Sequence, residues 1–381
     1  MTMNAPAAKL SAIPGLAALK ANVKAPFAEA RAMPPEVYTS QAFHDREIEA
    51  IFKKEWVCVG RADQLAQPGD YIAYELANQP VFVIRDDQGQ LNAYSNVCLH
   101  RMSTLLQGTG CAKRITCPYH GWTYGTDGRL KAAAAMKGNR KFEQGEYRLP
   151  EIRCENWLGW IMISLNPDAT PFSERLSGLE ADIADLRMGD YVQSFYETFV
   201  WDTNWKVLAE NFMESYHLQV CHADTIGGTT TLGDTTCPPG APGYNIHSIV
   251  KHEGAKLHIA HENSPLVGER RLTTHIMSVY PGLFITLSPG YFWYLSLHPR
   301  GPGQVHVTFG GGMAPEFATD PAAEEMFAET KRLLDAVNDE DKECTERVYR
   351  GLSADLAEPG HLSPLERPLY DFAGYLARMM G

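Results

Sequence analysis

The sequence is poor in cysteine, in positive charge and in long apolar runs, and each shortage excludes something. Eight cysteines lie at positions 58, 98, 111, 117, 154, 221, 237 and 344 of a 381-residue chain. Thiols this sparse do not make a disulfide framework in a chain of this size. They are expected to be reduced, and any close Cys/His spacing reads as metal chemistry. Lys and Arg number 34 against 46 Asp and Glu, a formal net charge of −12. That balance argues against a general nucleic-acid binder, because phosphate recognition needs a basic footprint. No stretch approaches the roughly 18–20 apolar residues of a membrane span, so no membrane association is expected. The N-terminal segment has no compact apolar run and carries Lys9, Lys20 and Lys24 well apart, so a cytoplasmic location is expected rather than secretion. A dinucleotide fingerprint is also missing: Gly310-Gly311-Gly312 reads as a glycine run at a strand end.

What remains is an ordinary globular composition, 44% hydrophobic and 21% charged, long enough for two cores. Residues 1–36 are rich in Ala and Pro and are expected to be loosely attached. Residues 41–56 place Phe43, Ile48, Ile51, Phe52 and Trp56 at helical spacing. From about Val57 to Leu165 short alternating runs separated by Gly, Asp-Gly or Asn-Gln predict a β-rich domain. Beyond it helices are expected near 173–187, 203–219 and 320–350, with strands between the last two. The chain thus divides into an N-terminal extension (1–40), a β-rich domain (41–166) and a mixed domain (167–381).

The β-rich part contains Cys98-Leu-His100 and, after a gap, Cys117-Pro-Tyr-His120-Gly-Trp122. Thiolate and neutral imidazole are natural ligands of a soft metal centre. Structural zinc usually takes two cysteines from one knuckle and two histidines from the other, whereas here each loop offers one of each. That division suits a two-iron cluster with thiolates on one iron and imidazoles on the other, with zinc as the alternative.

The second half reads Asp202-Thr-Asn-Trp205-Lys-Val-Leu-Ala-Glu210-Asn211-Phe-Met-Glu214-Ser-Tyr-His217-Leu-Gln-Val-Cys-His222. On a helix Trp205, Leu208, Phe212 and Tyr216 form an apolar stripe, and Glu210, Glu214 and His217 another line. His217 and His222 would stand about 140° apart on an ideal helix, so they converge on one ion only if the helix ends between them. Two histidines and a carboxylate form a facial triad that leaves open positions on Fe(II). A carboxylate is available in the 320–350 segment, which opens on Asp320-Pro321. Its apolar stripe runs through Phe327, Leu334, Val337, Cys344 and Val348, and Asp341 falls on it. An ionised group there is costly unless paired or metal-bound; a partner Lys or Arg, or an early end to the stripe, is the alternative. Asp335, Asp339 and Glu340 lie off the stripe and read as solvated charges.

With these motifs the sequence resembles the Rieske non-haem iron ring-hydroxylating oxygenase alpha subunits, through C-x-H…C-P-Y-H-G-W and N-W-K-x-x-x-E-N-F-x-E/D-x-Y-H-x-x-x-x-H. The resemblance implies an α+β fold: a Rieske [2Fe-2S] domain in 41–166 and a helix-grip (START-like) antiparallel-sheet catalytic domain in 167–381. It implies Cys98 and Cys117 on one iron, His100 and His120 on the other, and a mononuclear Fe(II) on His217, His222 and Asp341. It gives catalytic roles to Asn211 and to Glu214, the latter bridging to a neighbouring subunit's cluster in a homotrimer; many family members have Asp there. It implies O2 and a small organic substrate, with NAD(P)H electrons from a separate reductase, with or without a ferredoxin. Aromatic hydroxylation and oxidative N-demethylation of a quaternary amine both fit. Candidate substrate contacts are aromatics among Tyr280, Phe284, Tyr291, Phe292, Trp293 and Tyr294, with Arg270, Arg271 or His275 for a carboxylate. The rival readings are a Rieske electron carrier with a ligand-binding domain and no mononuclear iron, and a zinc-stabilised binding protein.

Overall fold

In the computed structural model, which describes residues 13–228, 231–251 and 259–381, the alternating runs of the first half form strands. They are β1 (Val57–Arg61), β2 (Asp70–Leu76), β3 (Gln79–Arg85), β4 (Leu91–Ser95), β5 (Thr109–Cys111), β6 (Ile115–Thr116), β7 (Thr123–Tyr124), β8 (Leu130–Ala132), β9 (Glu151–Trp157) and β10 (Trp160–Ser164). Seven of them make one sheet, ordered β1-β10-β9-β4-β3-β2-β5, and β6-β7-β8 make a small second one. Two hairpins are closed by two-residue turns, Ala77-Asn78 and Leu158-Gly159, all four residues at positive φ. Those left-handed conformations match the right-handed twist of paired strands and so fix their register. Phe82, Tyr94, Ile115, Trp122 and Tyr124 form a satellite core between the sheets, together with Cys98 and Cys117.

The second half builds β11 (Val192–Trp201), β12 (Thr235–Thr236), β13 (Tyr244–Val250), β14 (Thr273–Val279), β15 (Leu283–Leu287), β16 (Tyr291–Gly301) and β17 (Gln304–Met313). Their antiparallel sheet is ordered β11-β17-β16-β15-β14-β13-β12, with helix Trp205–Phe212 after β11 and the long helix Ala323–Leu352 after β17. The long helix buries Thr330, Leu334, Val337, Asn338, Asp341 and Thr345, a stripe at steps of three and four. A β-rich unit followed by an antiparallel sheet with helices is the α+β architecture that the motifs imply. Among the described residues no helix is long and apolar enough to cross a membrane.

Three local expectations are corrected. The N-terminal segment is docked, not loose: Leu19, Met33, Val37 and Tyr38 are core residues, and Tyr370 donates to the carbonyls of Val23 (3.2 Å) and Ala25 (2.8 Å). Residues 1–12, which include Lys9, lie outside the described residues. The 173–187 helix is broken into Phe172–Arg175, Ser177–Ile183 and a 3-10 turn. The 203–219 helix stops at Phe212 and a new turn forms at Leu218–Cys221, so Tyr216 leaves the stripe and is half exposed. The glycine run stands at the end of β17, as expected, and there a Cβ at Gly312 would collide with the Val192 carbonyl of β11 and one at Gly310 with the Tyr294 ring.

Candidate functional site

The first site is assembled by two loops at the edge of the satellite core. Asn96 ties the base of the first, accepting from the Leu106 amide (2.9 Å) and donating to the Leu106 carbonyl (2.8 Å). The second turns back at Gly121, whose φ of 70° lets its amide reach the Cys117 carbonyl at 3.1 Å. The result brings all four expected residues together. Cys98 and Cys117 are buried, His100 is half-buried and His120 exposed. The imidazoles are edge to face with centroids 4.5 Å apart, and His100 stacks on Trp122 at 4.9 Å. Burial would raise the Cys117 thiol, but the amides of Tyr119 and His120 and the neighbouring Cys98 more than offset it, so its pKa is lowered. The His100 Nδ1 is buried with no hydrogen-bond partner among the described residues. Two inward free thiols, two outward imidazoles and an orphaned ring nitrogen fit a cluster held by mixed ligands.

The second site arises where helix Trp205–Phe212 ends. The Glu214 carboxylate accepts from the amides of Tyr216 and His217, bonds that compete with helix continuation. His217 then precedes the turn Leu218–Cys221 and His222 follows it, so a single short turn directs both rings to one point. The long helix brings Asp341 to the same place: His217, His222 and Asp341 each offer a ligand atom, all within 4.8 Å of one another. Asp341 Oδ1 lies 3.1 Å from His222 Nε2 and 3.7 Å from His217 Nε2. The approach lacks hydrogen-bond alignment, which leaves that buried oxygen unpartnered. Such an arrangement of donors fits a divalent cation.

The far nitrogens of both rings are held by carboxylates. His217 Nδ1 is 2.5 Å from Glu214 Oε1, and His222 Nδ1 is 2.7 Å from Glu340 Oε2, which also accepts from Thr225 Oγ1 at 2.6 Å. A carboxylate on Nδ1–H selects the tautomer whose Nε2 lone pair faces the metal position. Burial alone would lower the His222 pKa, but Asp341 and Glu340 outweigh it and raise it. Glu340 is therefore no solvated charge, contrary to the helical-wheel expectation, whereas Asp335 pairs with Lys331 at the surface and Asp339 is exposed. Asn211 Nδ2 lies 3.4 Å from His217 Nε2. Glu210 is elsewhere: it turns to Tyr38, whose hydroxyl donates to it at 2.7 Å.

A cavity opens from the triad between the sheet and the long helix. Strand alternation sorts the aromatic candidates. Tyr291 and Trp293 line the cavity, whereas Phe292 and Tyr294 pack on Trp160 across the other face of the sheet. Tyr280 packs at a tilt against Tyr375 and Phe284 supports Phe212, and neither lines the cavity. The three cationic candidates are engaged elsewhere. Arg270 binds Asp185 (2.8 Å) and His275, Arg271 binds the carbonyls of Ala260 (2.7 Å) and Leu266 (3.1 Å), and His275 also contacts Ser248. Residues that sequence reasoning missed include His247, bonded to Ser215 Oγ at 3.1 Å and pushed down to about 3 by burial and the neighbouring histidines. Lys251 was missed as well.

Comparison with known proteins bears on the family and the fold. Residues 55–145 match the Rieske [2Fe-2S] domain, and residues 188–381 match the ring hydroxylating alpha subunit (catalytic domain). The carnitine monooxygenase oxygenase subunit of Acinetobacter baumannii is 37% identical over 199 residues, which are 50% of this chain and 52% of that protein. The chain thus spans about half the length of the curated relatives it matches at this level. Choline monooxygenase of Spinacia oleracea is 26% identical over 92% of this chain and 79% of its own length. In fold, the chain resembles the quaternary ammonium Rieske monooxygenase CntA, described in terms of carnitine oxidation and inter-subunit electron transfer (TM-score 0.81, 23% identity, 95% and 98% of the two chains). It also resembles naphthalene 1,2-dioxygenase from Rhodococcus sp. (TM-score 0.77, 21% identity, 96% and 97%). With more than half of its length matched by the catalytic-domain model, beside a Rieske domain, the chain belongs to the ring-hydroxylating oxygenase alpha subunit family.

Proposed function

We propose that the protein is the terminal oxygenase component of a Rieske non-haem iron system, hydroxylating a small organic substrate with O2 and reductase-delivered NAD(P)H electrons. The observation that carries this is the convergence of His217, His222 and Asp341 on one point in the wall of a cavity, in a chain that also has the Cys98/His100/Cys117/His120 loops. Cys98, Cys117, His100 and His120 would hold a [2Fe-2S] cluster, and His217, His222 and Asp341 a mononuclear Fe(II). When bound, the cluster supplies electrons and the Fe(II) a site for dioxygen.

The chain's own residues supply the rest. Glu214 and Glu340 hold the two imidazoles in the tautomer that points Nε2 inward, and Asn211 stands beside the His217 ring. Trp293, Leu334 and Val337 line the cavity with apolar surface, against which the body of an organic substrate can pack. The outward imidazoles His100 and His120, and a Glu214 that already grips His217, favour electron delivery between subunits of a homotrimer. We place the N-terminal extension at 1–40, the Rieske domain at 41–166 and the catalytic domain at 167–381. The working compartment is the cytoplasm.

Iron and acid-labile sulfide per chain test the reading. About three irons to two sulfides is expected; two irons to two sulfides, or zinc alone, overturns it. Asp341→Ala should lose the third iron and product formation while keeping its sulfide. A variant that retains both refutes the choice of carboxylate.

A further inference from the structure

The cavity that leaves the triad has two unlike ends. His247, Ile249 and Lys251 alternate along β13 and its extension, and all three line the cavity. His247 lies at the metal end, fixed by its bond to Ser215 beside the histidine loop. Lys251 is four residues on, roughly 13 Å further at 3.3 Å per residue. The long helix gives a similar span on the opposite wall, from Asp341 to Thr330, about 16 Å at 1.5 Å per residue. Between the ends the lining is mostly apolar, with Ile249, Ile276, Trp293 and Leu334.

Lys251 is the one lysine or arginine among the described residues of this lining. Its backbone amide continues the sheet onto the Leu272 carbonyl, which fixes the position of its Cα. It is half-buried, and no ion pair or side-chain hydrogen bond engages it among the described residues. Burial pushes its pKa down to about 8, so it still carries most of its charge at neutral pH. A desolvated ammonium without a counter-charge is costly, and a ligand anion removes that cost. Arg270, Arg271 and His275 cannot take this role, because each is already bound to groups of the protein.

We infer that Lys251 is a specificity-determining residue that binds a carboxylate on the substrate and directs the molecule's other end toward the His217/His222/Asp341 triad. The inference rests on the oxygenase reading for what happens at that other end, but the recognition step stands on binding alone. It selects, within the substrate range, molecules bearing a carboxylate some way from the carbon to be oxidised. An uncharged aromatic or a quaternary ammonium alcohol leaves Lys251 unpaired and is disfavoured.

The test is calorimetric titration of the anaerobic holoprotein with matched probes: benzoate against benzamide, and glycine betaine against choline. The carboxylate member of at least one pair should bind about tenfold or more tightly, the scale of one charge-assisted contact. Lys251→Met should lose that preference, and Lys251→Arg should keep it. Melting temperatures establish that each variant is folded. In coupled turnover Lys251→Met should raise KM for the carboxylate with little change in kcat. Preference retained in Lys251→Met, preference for the neutral members, or no binding of either carboxylate by the parent each overturns the inference. Failure of the oxygenase reading is distinct, since it appears as missing iron or absent product while the binding preference persists. The two probe pairs separate an aromatic from a quaternary ammonium body on the same carboxylate.

Discussion

Removing the Glu340 carboxylate should loosen the mononuclear iron without touching the cluster. Glu340 has a side chain only 23% exposed and holds His222 Nδ1 at 2.7 Å, while Thr225 locks its Oε2 at 2.6 Å. Orienting partners of metal-bound histidines are worth about 10- to 100-fold in metal affinity, or about 1.4–2.7 kcal/mol. Glutamine keeps an acceptor but loses the charge, and charge-assisted bonds are about twice as strong as neutral ones. Glu340→Gln therefore belongs near the lower bound, about tenfold, and Glu340→Ala near the upper, about 100-fold. The assay is competition of the reconstituted protein with a graded series of Fe(II) chelators, reading iron retained per chain beside acid-labile sulfide. The third iron should leave at lower chelator strength in the order Ala, Gln, parent, with sulfide constant. Asp335→Asn, on the same helix but paired with Lys331 at the surface, serves as the control. Parent-like retention of iron in Glu340→Ala refutes the orienting role, and loss of sulfide refutes its confinement to the second site.

Further outcomes concern the scaffold. Lys206 and Glu47 form a 2.7 Å pair with both side chains fully buried, so Lys206→Met alone should cost about 3–5 kcal/mol and Glu47→Leu with it should recover much of that in urea unfolding. Burial pushes the Glu210 carboxyl up to about 8. Folding therefore favours its protonated form, and that stability is full below the ordinary glutamate pKa and is lost as pH rises through about 8. Glu210→Gln should flatten the stability–pH curve across this window, and an unchanged slope would contradict the assignment. Leu19→Ala, at a fully buried position, should cost about 2–5 kcal/mol if the N-terminal segment is part of the core. Gly312→Ala should destabilise the sheet, since its new methyl meets the Val192 backbone, and wild-type unfolding midpoints would contradict the packing of β11 on β17.

How much of this was legible in the sequence depends on how local the cause is. The cluster loops were legible because their ligands, glycine and tryptophan sit within a few residues of one another, and their turn geometry is a short-range matter. The first hairpin was legible in the same way, because the alternating run stops before Asn78-Gln79, whereas the turn at Leu158-Gly159 lies inside what reads as one apolar run over 157–165. The N-terminal segment was not: each of its helices has few apolar residues, and distant helices bury them, Arg367–Met379 against Leu16–Asn22 and Ala323–Leu352 against Pro35–Thr39. The wheel over 203–219 failed at a different scale. Its apolar spacing runs on to Tyr216, but Glu214 captures two backbone amides and stops the helix first. A wheel records spacing and has no entry for a side chain that bonds its own backbone.

The same limit explains which carboxylates could be assigned. Asp341 was legible because the stripe that buries it is the stripe that packs the helix, so its cost of burial could be inferred from Val337 and Leu334. Glu340 sits about 100° around the same helix, where a wheel predicts water. It meets His222 instead because the turn Leu218–Cys221 lies against that flank, and the position of a turn relative to a distant helix is a tertiary fact. The cations at the substrate end follow this rule in reverse. Arg270 and Arg271 look available in sequence, yet their partners Asp185 and the Ala260 carbonyl come from elsewhere in the fold and consume them. Lys251 looks unremarkable beside them. Its place follows from simple alternation with His247 and Ile249, which turns it into the cavity once the strand is known to start at Tyr244. Among the described residues no carboxylate pairs with it, and a carboxylate-bearing substrate is the complement proposed for it.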